Sequence, residues 1–142
     1  MTTIACTSAG MAGDGRIMRG SIIAAESAVK VHRLEDGTLV GCAGQTLDSM
    51  AFRDWLAGGE EGKRPKASSP FGALVFKPDE TLWYYADGSS GAIVDTPMAI
   101  GSGSELAMGA MLAGADAEQA VKVAARVDPY TGGRITVHLV GR

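Results

Sequence analysis

Cysteine, histidine, aromatic residues and clustered positive charge are all scarce in this chain of 142 residues. Only Cys6 and Cys42 are present, far apart and in no metal-type spacing, which argues against a disulfide framework and against a zinc site. Cys6 sits inside an apolar stretch, where cysteine reads as a small hydrophobe rather than a nucleophile. His32 and His138 form neither a Ser-His-Asp arrangement nor a metal cluster, and the sequence points to no metal or cofactor. Net charge is −3 with Lys and Arg scattered, so there is no electrostatic footprint for nucleic acid. The run Lys63-Arg64-Pro65-Lys66 is expected to be a solvated loop. No apolar run approaches the roughly 18 residues of a membrane span, and no basic segment leads an apolar one at the start. A soluble, cytoplasmic protein without a membrane partner is expected.

What is present is a composition suited to one globular domain, 46% hydrophobic and 20% charged, taken here as residues 1–142. Twenty glycines and short β-branched runs broken by turn signals predict many strands and few helices, an α+β pattern. Strands are predicted at residues 3–7 and 9–13, then at 28–34 and 38–43 around a hairpin turn at Glu35-Asp36-Gly37. Alternation along 28–34 places Ala28, Lys30, His32 and Leu34 on one face. From Thr46, a plausible N-cap, the period becomes helical through Leu47, Met50, Ala51 and Trp55, and Gly58-Gly59 ends it. Residues 60–70 read as an exposed, mobile loop, and 71–77 with 81–86 as a hairpin, followed by a short strand at 92–94. Helices follow at residues 104–112 and 117–125, the second with an Ala117, Ala120, Val121, Ala124 stripe, before a last strand at 134–140.

The N-terminus carries a chemical possibility. Removal of Met1 would make Thr2 the first residue, with a hydroxyl nucleophile and an α-amine on adjacent carbons, so that the amine serves as base for its own hydroxyl. The amine's reference pKa of about 7.7–8.0 leaves a neutral fraction near neutral pH. Met-Thr-Thr is equally an ordinary way to begin a protein, so the residues that follow decide.

Those residues are Thr2-Thr3-Ile4, Asp14 in Ala-Gly-Asp-Gly-Arg, Lys30 in Val-Lys-Val-His-Arg-Leu, Gly44 in Cys-Ala-Gly-Gln-Thr, Ile100-Gly101-Ser102-Gly103, and Asp128-Pro129-Tyr130-Thr131-Gly132-Gly133. In this order and spacing they resemble the N-terminal nucleophile (Ntn) hydrolases of the proteasome β-subunit and bacterial HslV type, over almost the whole chain. The resemblance implies a four-layer αββα sandwich of two antiparallel sheets. One flanking helix of the family is missing, because only residues 60–70 separate the first helix from the next strand.

The same resemblance implies the roles. Thr2 is the nucleophile; the Lys30 ammonium favours its alkoxide and Asp14 holds that lysine. The Gly44 N–H stabilises the oxyanion. Ser102 and Asp128, with Thr131 in support, tune the threonine amine. Each has a plainer reading: Lys30 an edge-strand lysine, Gly44 a turn glycine, Ser102 a helix N-cap, Asp128 a turn cap before Pro129. Ala28, His32, Cys42, Thr46 and Met50 are expected to line the substrate pocket. None is acidic, and a medium or large apolar side chain is the expected occupant.

The function so implied is a threonine-type peptidase acting on peptides or unfolded chains, in a homo-oligomeric ring with a possible ATPase unfoldase partner. Shared fold and nucleophile do not fix the substrate, so an Ntn amidase on a non-protein amide stands beside it. A catalytically silent ring subunit is the third reading. The missing helix bears on ring stacking and ATPase docking more than on the active site.

Overall fold

The computed structural model describes residues 1–87 and 90–141. Strands β1 (Thr3–Thr7) and β2 (Gly10–Gly13) pair with β10 (Met98–Gly101) and β11 (Thr136–Leu139) in a sheet of order β10-β1-β2-β11. The second sheet runs β5 (Val31–Arg33), β6 (Leu39–Ala43), β7 (Gly72–Phe76), β8 (Leu82–Ala86) and β9 (Ala92–Val94), also antiparallel. A small hairpin, β3 (Ile17–Arg19) and β4 (Ile22–Ala25), stands outside both.

Side-chain alternation assembles the layers. Ile4, Cys6 and Met11 of the first sheet meet Val31, Leu39, Leu74, Phe76 and Leu82 of the second in the central core. The opposite face of the first sheet, Ala5, Ala12 and Ala99, packs on α2 (Ser104–Leu112) and α3 (Ala117–Val127). The outer face of the second sheet, Val40, Cys42, Ala73, Val75 and Tyr85, is covered by Phe52 of α1 (Thr46–Ala57). The order is therefore two helices, sheet, sheet, one helix, the αββα sandwich with a single helix on one side. Glycine sets the sheet spacing at one point: a Cβ on Gly41 would lie 2.6 Å from Ile4 Cγ2 and 3.0 Å from Met11 Sδ. At that distance a side chain would force the sheets apart.

Several local expectations change. The predicted strand at 28–34 contracts to Val31–Arg33 because the Ala28 N–H donates to the Gly15 carbonyl (3.0 Å) instead of continuing the ladder with β6. The N-cap of α1 is Gln45, not Thr46. Leu47 and Met50 of that helix are exposed, because it is Phe52 that enters the ring cluster of Trp55, Phe71 and Tyr85, with centroids 5.1–5.7 Å away. Residues 60–70 are tied down rather than free: Arg64 lies over the Phe52 and Tyr85 rings (5.6 and 5.5 Å), Tyr85 OH donates to Glu60 (3.2 Å) and the Ser68 N–H to Asp48 (3.2 Å). Arg64 is accordingly not a solvated loop residue. The Ala117, Ala120, Val121, Ala124 stripe is buried in the chain's own core.

Candidate active site

Thr2 lies immediately before β1, and Thr3 pairs with Gly101 of β10. Gly101 has φ +98°, and a Cβ there would collide with the Thr2 carbonyl, so glycine is what lets β10 lie against the N-terminus. Thr2 is thereby buried, yet its hydroxyl stays at the floor of a cleft of about 790 Å³.

Lys30 reaches that hydroxyl from the residue before β5. Its Nζ donates to Thr2 Oγ1 (3.0 Å), Asp14 Oδ1 (2.9 Å) and the Arg16 carbonyl (2.5 Å). All three ammonium protons have acceptors, so the cation is fixed in direction as well as position. Burial pulls the Lys30 pKa down; the Asp14 charge and hydrogen bond oppose this without cancelling it. Asp14 is fully buried, and its carboxylate is satisfied from four sides: Thr3 N–H (3.1 Å) and Lys30 on Oδ1, Arg16 N–H (3.2 Å) and Gly132 N–H (3.1 Å) on Oδ2. Two turns brought together from opposite ends of the chain thus hold one carboxylate.

A second cluster sits behind the N-terminus. Ser102 Oγ and Thr131 Oγ1 both donate to Asp128 Oδ2 (2.6 and 2.7 Å), and the Tyr130 N–H donates to Oδ1 (3.0 Å). Burial pushes the Asp128 pKa up, but these hydrogen bonds and the nearby terminal ammonium outweigh it, so the group stays below the ordinary carboxylate value. Ser102 Oγ also lies 3.5 Å from the Thr2 carbonyl oxygen, a long contact in which it would be the donor, so its single proton goes to the much closer Asp128. Ser102 is not a helix cap: the N-cap of α2 is Gly103. Asp128 does serve its turn, and holds the serine as well.

The cleft mouth is formed by the hairpin residues Ile17 and Met18, the segment before β5, and the start of α1. Ala28, His32, Cys42, Thr46 and Met50 all line it, as does Gly44, whose φ is +153° and whose added Cβ would lie 3.0 Å from the Phe71 ring. Burial pushes the Cys42 and Cys6 thiols up to about 12, which makes both inert as nucleophiles. Met1 also lines the cleft, and while it is attached the Thr2 nitrogen is an amide.

Residues beyond the sequence expectation complete the picture. Thr3 links the two clusters, Arg16 supplies a carbonyl to Lys30, and Arg53 of α1 enters the cleft with Nη1 2.6 Å from His32 Nε2. Arg53 was legible in principle, since Thr46, Met50 and Arg53 recur at i, i+4 and i+7 on one helix face.

No known family profile matches this chain, and no curated protein matches it in sequence. Solved structures do match in fold. Eukaryotic HslV from Trypanosoma brucei superposes with a TM-score of 0.77 at 22% identity, covering 97% of each chain. BPH from Thiobacillus denitrificans in complex with epoxomicin gives 0.72 at 20% identity over 98% of this chain and 97% of that one. BPH without that ligand named gives 0.72 at 19% identity over 98% and 96%. The fold is that of the Ntn hydrolases.

Proposed function

We propose that this chain is a threonine peptidase in which Thr2, once Met1 is removed, is nucleophile and general base in one residue. The observation that carries this reading is the Lys30 ammonium, 3.0 Å from Thr2 Oγ1 and held by Asp14 at 2.9 Å, at the floor of an open cleft.

In the proposed reaction the Thr2 amine takes the proton from Oγ1 as the oxygen attacks a peptide carbonyl carbon. Lys30 stays protonated and stabilises the charge developing on Oγ1, while the Gly44 N–H serves the carbonyl oxygen as it becomes an oxyanion. The Thr2 ammonium so formed then gives its proton to the leaving amine, the C–N bond breaks, and an ester joins the acyl group to Thr2 Oγ1. Water, deprotonated by the same amine, adds to the ester and releases the acid and the free hydroxyl. Ser102, Asp128 and Thr131 tune that amine. In the Met1-bearing chain, burial and the Lys30 charge lower the pKa of the terminal ammonium, against the pull of Asp14 and Asp128. The same influences would favour a neutral base on Thr2.

Ala28, His32, Cys42, Thr46 and Met50 are proposed as the substrate-binding wall. A homo-oligomeric ring acting on unfolded chains, with an ATPase unfoldase as possible partner, extends the same reading. It draws support from the HslV-like fold and from Ile22, Ile23 and Val29, three exposed apolar side chains beside the cleft. No helix among the described residues is long and apolar enough to cross a membrane, which is compatible with a cytoplasmic setting. Turnover of fluorogenic peptides by the processed protein, and its absence in Thr2→Ala, is the test. Equal turnover by both proteins would refute the reading.

A further inference from the structure

The charge of the cleft does not match its apolar walls. Arg16, Lys30 and Arg53 line it, and among the described residues no Asp or Glu does. Two of the cations are already compensated, Arg16 by Glu26 (2.7 Å) and Lys30 by Asp14 (2.9 Å). Arg53 has no ion pair among the described residues. Its one described hydrogen-bonding contact is His32 Nε2, at 2.6 Å. A guanidinium carries only donors, so that contact needs Nε2 as acceptor, with the imidazole proton on Nδ1; the Val29 carbonyl, 3.2 Å from the same nitrogen, would need it as donor, and the shorter contact is the one to Arg53.

A half-buried guanidinium whose one partner among the described residues is an imidazole nitrogen keeps most of its donors unused. An apolar side chain seated against it would strip water from the charge and return nothing. A carboxylate would return a charge-assisted pair, with the planar fork suited to both oxygens. The remaining wall leaves room for it: Ala28 and Cys42 are small, and Thr46 and Ser49 add hydroxyls.

We propose that the cleft beside Thr2 receives an acidic side chain, glutamate before aspartate for reach, and that Arg53 is the specificity-determining residue, with His32 holding its guanidinium in place. This rests on the peptidase reading for the position of the scissile bond and replaces the apolar preference that the sequence suggests.

The test compares peptides that differ only in Glu, Gln or Leu before the cleaved bond. The wild-type protein is expected to favour Glu over Gln by about 10- to 100-fold in kcat/KM, the range for a hydrogen bond to a charged group. Arg53→Gln is expected to bring that ratio close to one, and Arg53→Lys to restore part of it. Leu cleaved faster than Glu, or a Glu preference that survives Arg53→Gln, would overturn the proposal and leave the peptidase reading standing. A second measurement separates the two: calorimetric binding of acetyl-Ala-Ala-Glu and acetyl-Ala-Ala-Gln to Thr2→Ala, a readout that needs no turnover. Tighter binding of the Glu peptide that vanishes in Thr2→Ala/Arg53→Gln supports the acidic pocket even if no peptide is hydrolysed. Equal binding overturns it.

Discussion

The hydroxyls of Thr3 and Thr131 meet at 2.7 Å in a site closed to solvent, 128 residues apart in the chain. Thr131 spends its proton on Asp128, so Thr3 must be the donor, and a chain of hydroxyls runs from Thr3 through Thr131 to the Asp128 carboxylate. The Thr3 N–H meanwhile donates to Asp14. One residue therefore joins the lysine-holding cluster to the amine-tuning cluster. Thr3→Val, which keeps the shape and removes the hydroxyl, is expected to cost about 1–2 kcal/mol in denaturant unfolding. It should reduce kcat more than it raises KM, a split that a purely structural role would not give.

At the nucleophile, Thr2→Ala is expected to lower peptide turnover by about a thousandfold or more, with the circular dichroism spectrum unchanged. Lys30→Ala removes the donor to Oγ1 and is expected to cost about 10²- to 10³-fold in kcat. Initial-rate measurements on a fluorogenic peptide read both.

Asp14 is the residue on which stability and activity should fall together. Asp14→Ala leaves the Lys30 ammonium and the N–H groups of Thr3, Arg16 and Gly132 without their acceptor. Losing one member of such a buried pair costs about 3–5 kcal/mol. Chemical denaturation should show that loss, and the double variant Asp14→Ala/Lys30→Met should recover part of it, because the stranded charge is gone.

Asp128 predicts an acid limb. Its carboxyl sits below the ordinary value in the folded protein, so the stabilisation is complete above about pH 4 and drains away as pH falls through the folded value. Unfolding free energies measured from pH 5 to pH 2 should therefore fall less steeply for Asp128→Asn than for the wild type. An identical slope in both proteins would mean that the hydrogen bonds from Ser102, Thr131 and Tyr130 do not favour the charged form.

Association is expected through the exposed apolar hairpin. Sedimentation at micromolar concentration should report an oligomer, and Ile22→Asp/Ile23→Asp should shift it toward monomer. The Ala117 and Ala120 face is unavailable for this, since it is consumed by packing on Ala5 and Ala12.

The layered fold was legible because β1, β6 and β7 are short apolar runs buried on both faces, as inner strands of a layered fold must be, and their successive side chains go alternately to the central core and to a helix layer. The hairpin of residues 17–25 was not, because Ile22 and Ile23 are exposed and show no alternation; only the Gly20-Ser21 turn, with Gly20 at φ +62°, marks it. Met98–Gly101 has the composition of a strand, but its place beside β1 is set by Gly101 yielding to the Thr2 carbonyl, a contact between residues about a hundred positions apart. Thr2, Asp14 and Lys30 stand in recognisable local motifs and meet in space. Arg53 belongs to no motif; it reaches the cleft because Phe52 beside it takes the buried face of α1.

The most direct measurement is intact mass of the purified protein before and after exposure to a reagent that reacts covalently with an N-terminal threonine. The account predicts a starting mass lacking one methionine, a single covalent adduct in the wild type, and no adduct in Thr2→Ala. A chain that keeps Met1 under all conditions, or an adduct that persists in Thr2→Ala, would contradict the assignment of Thr2 as an N-terminal nucleophile.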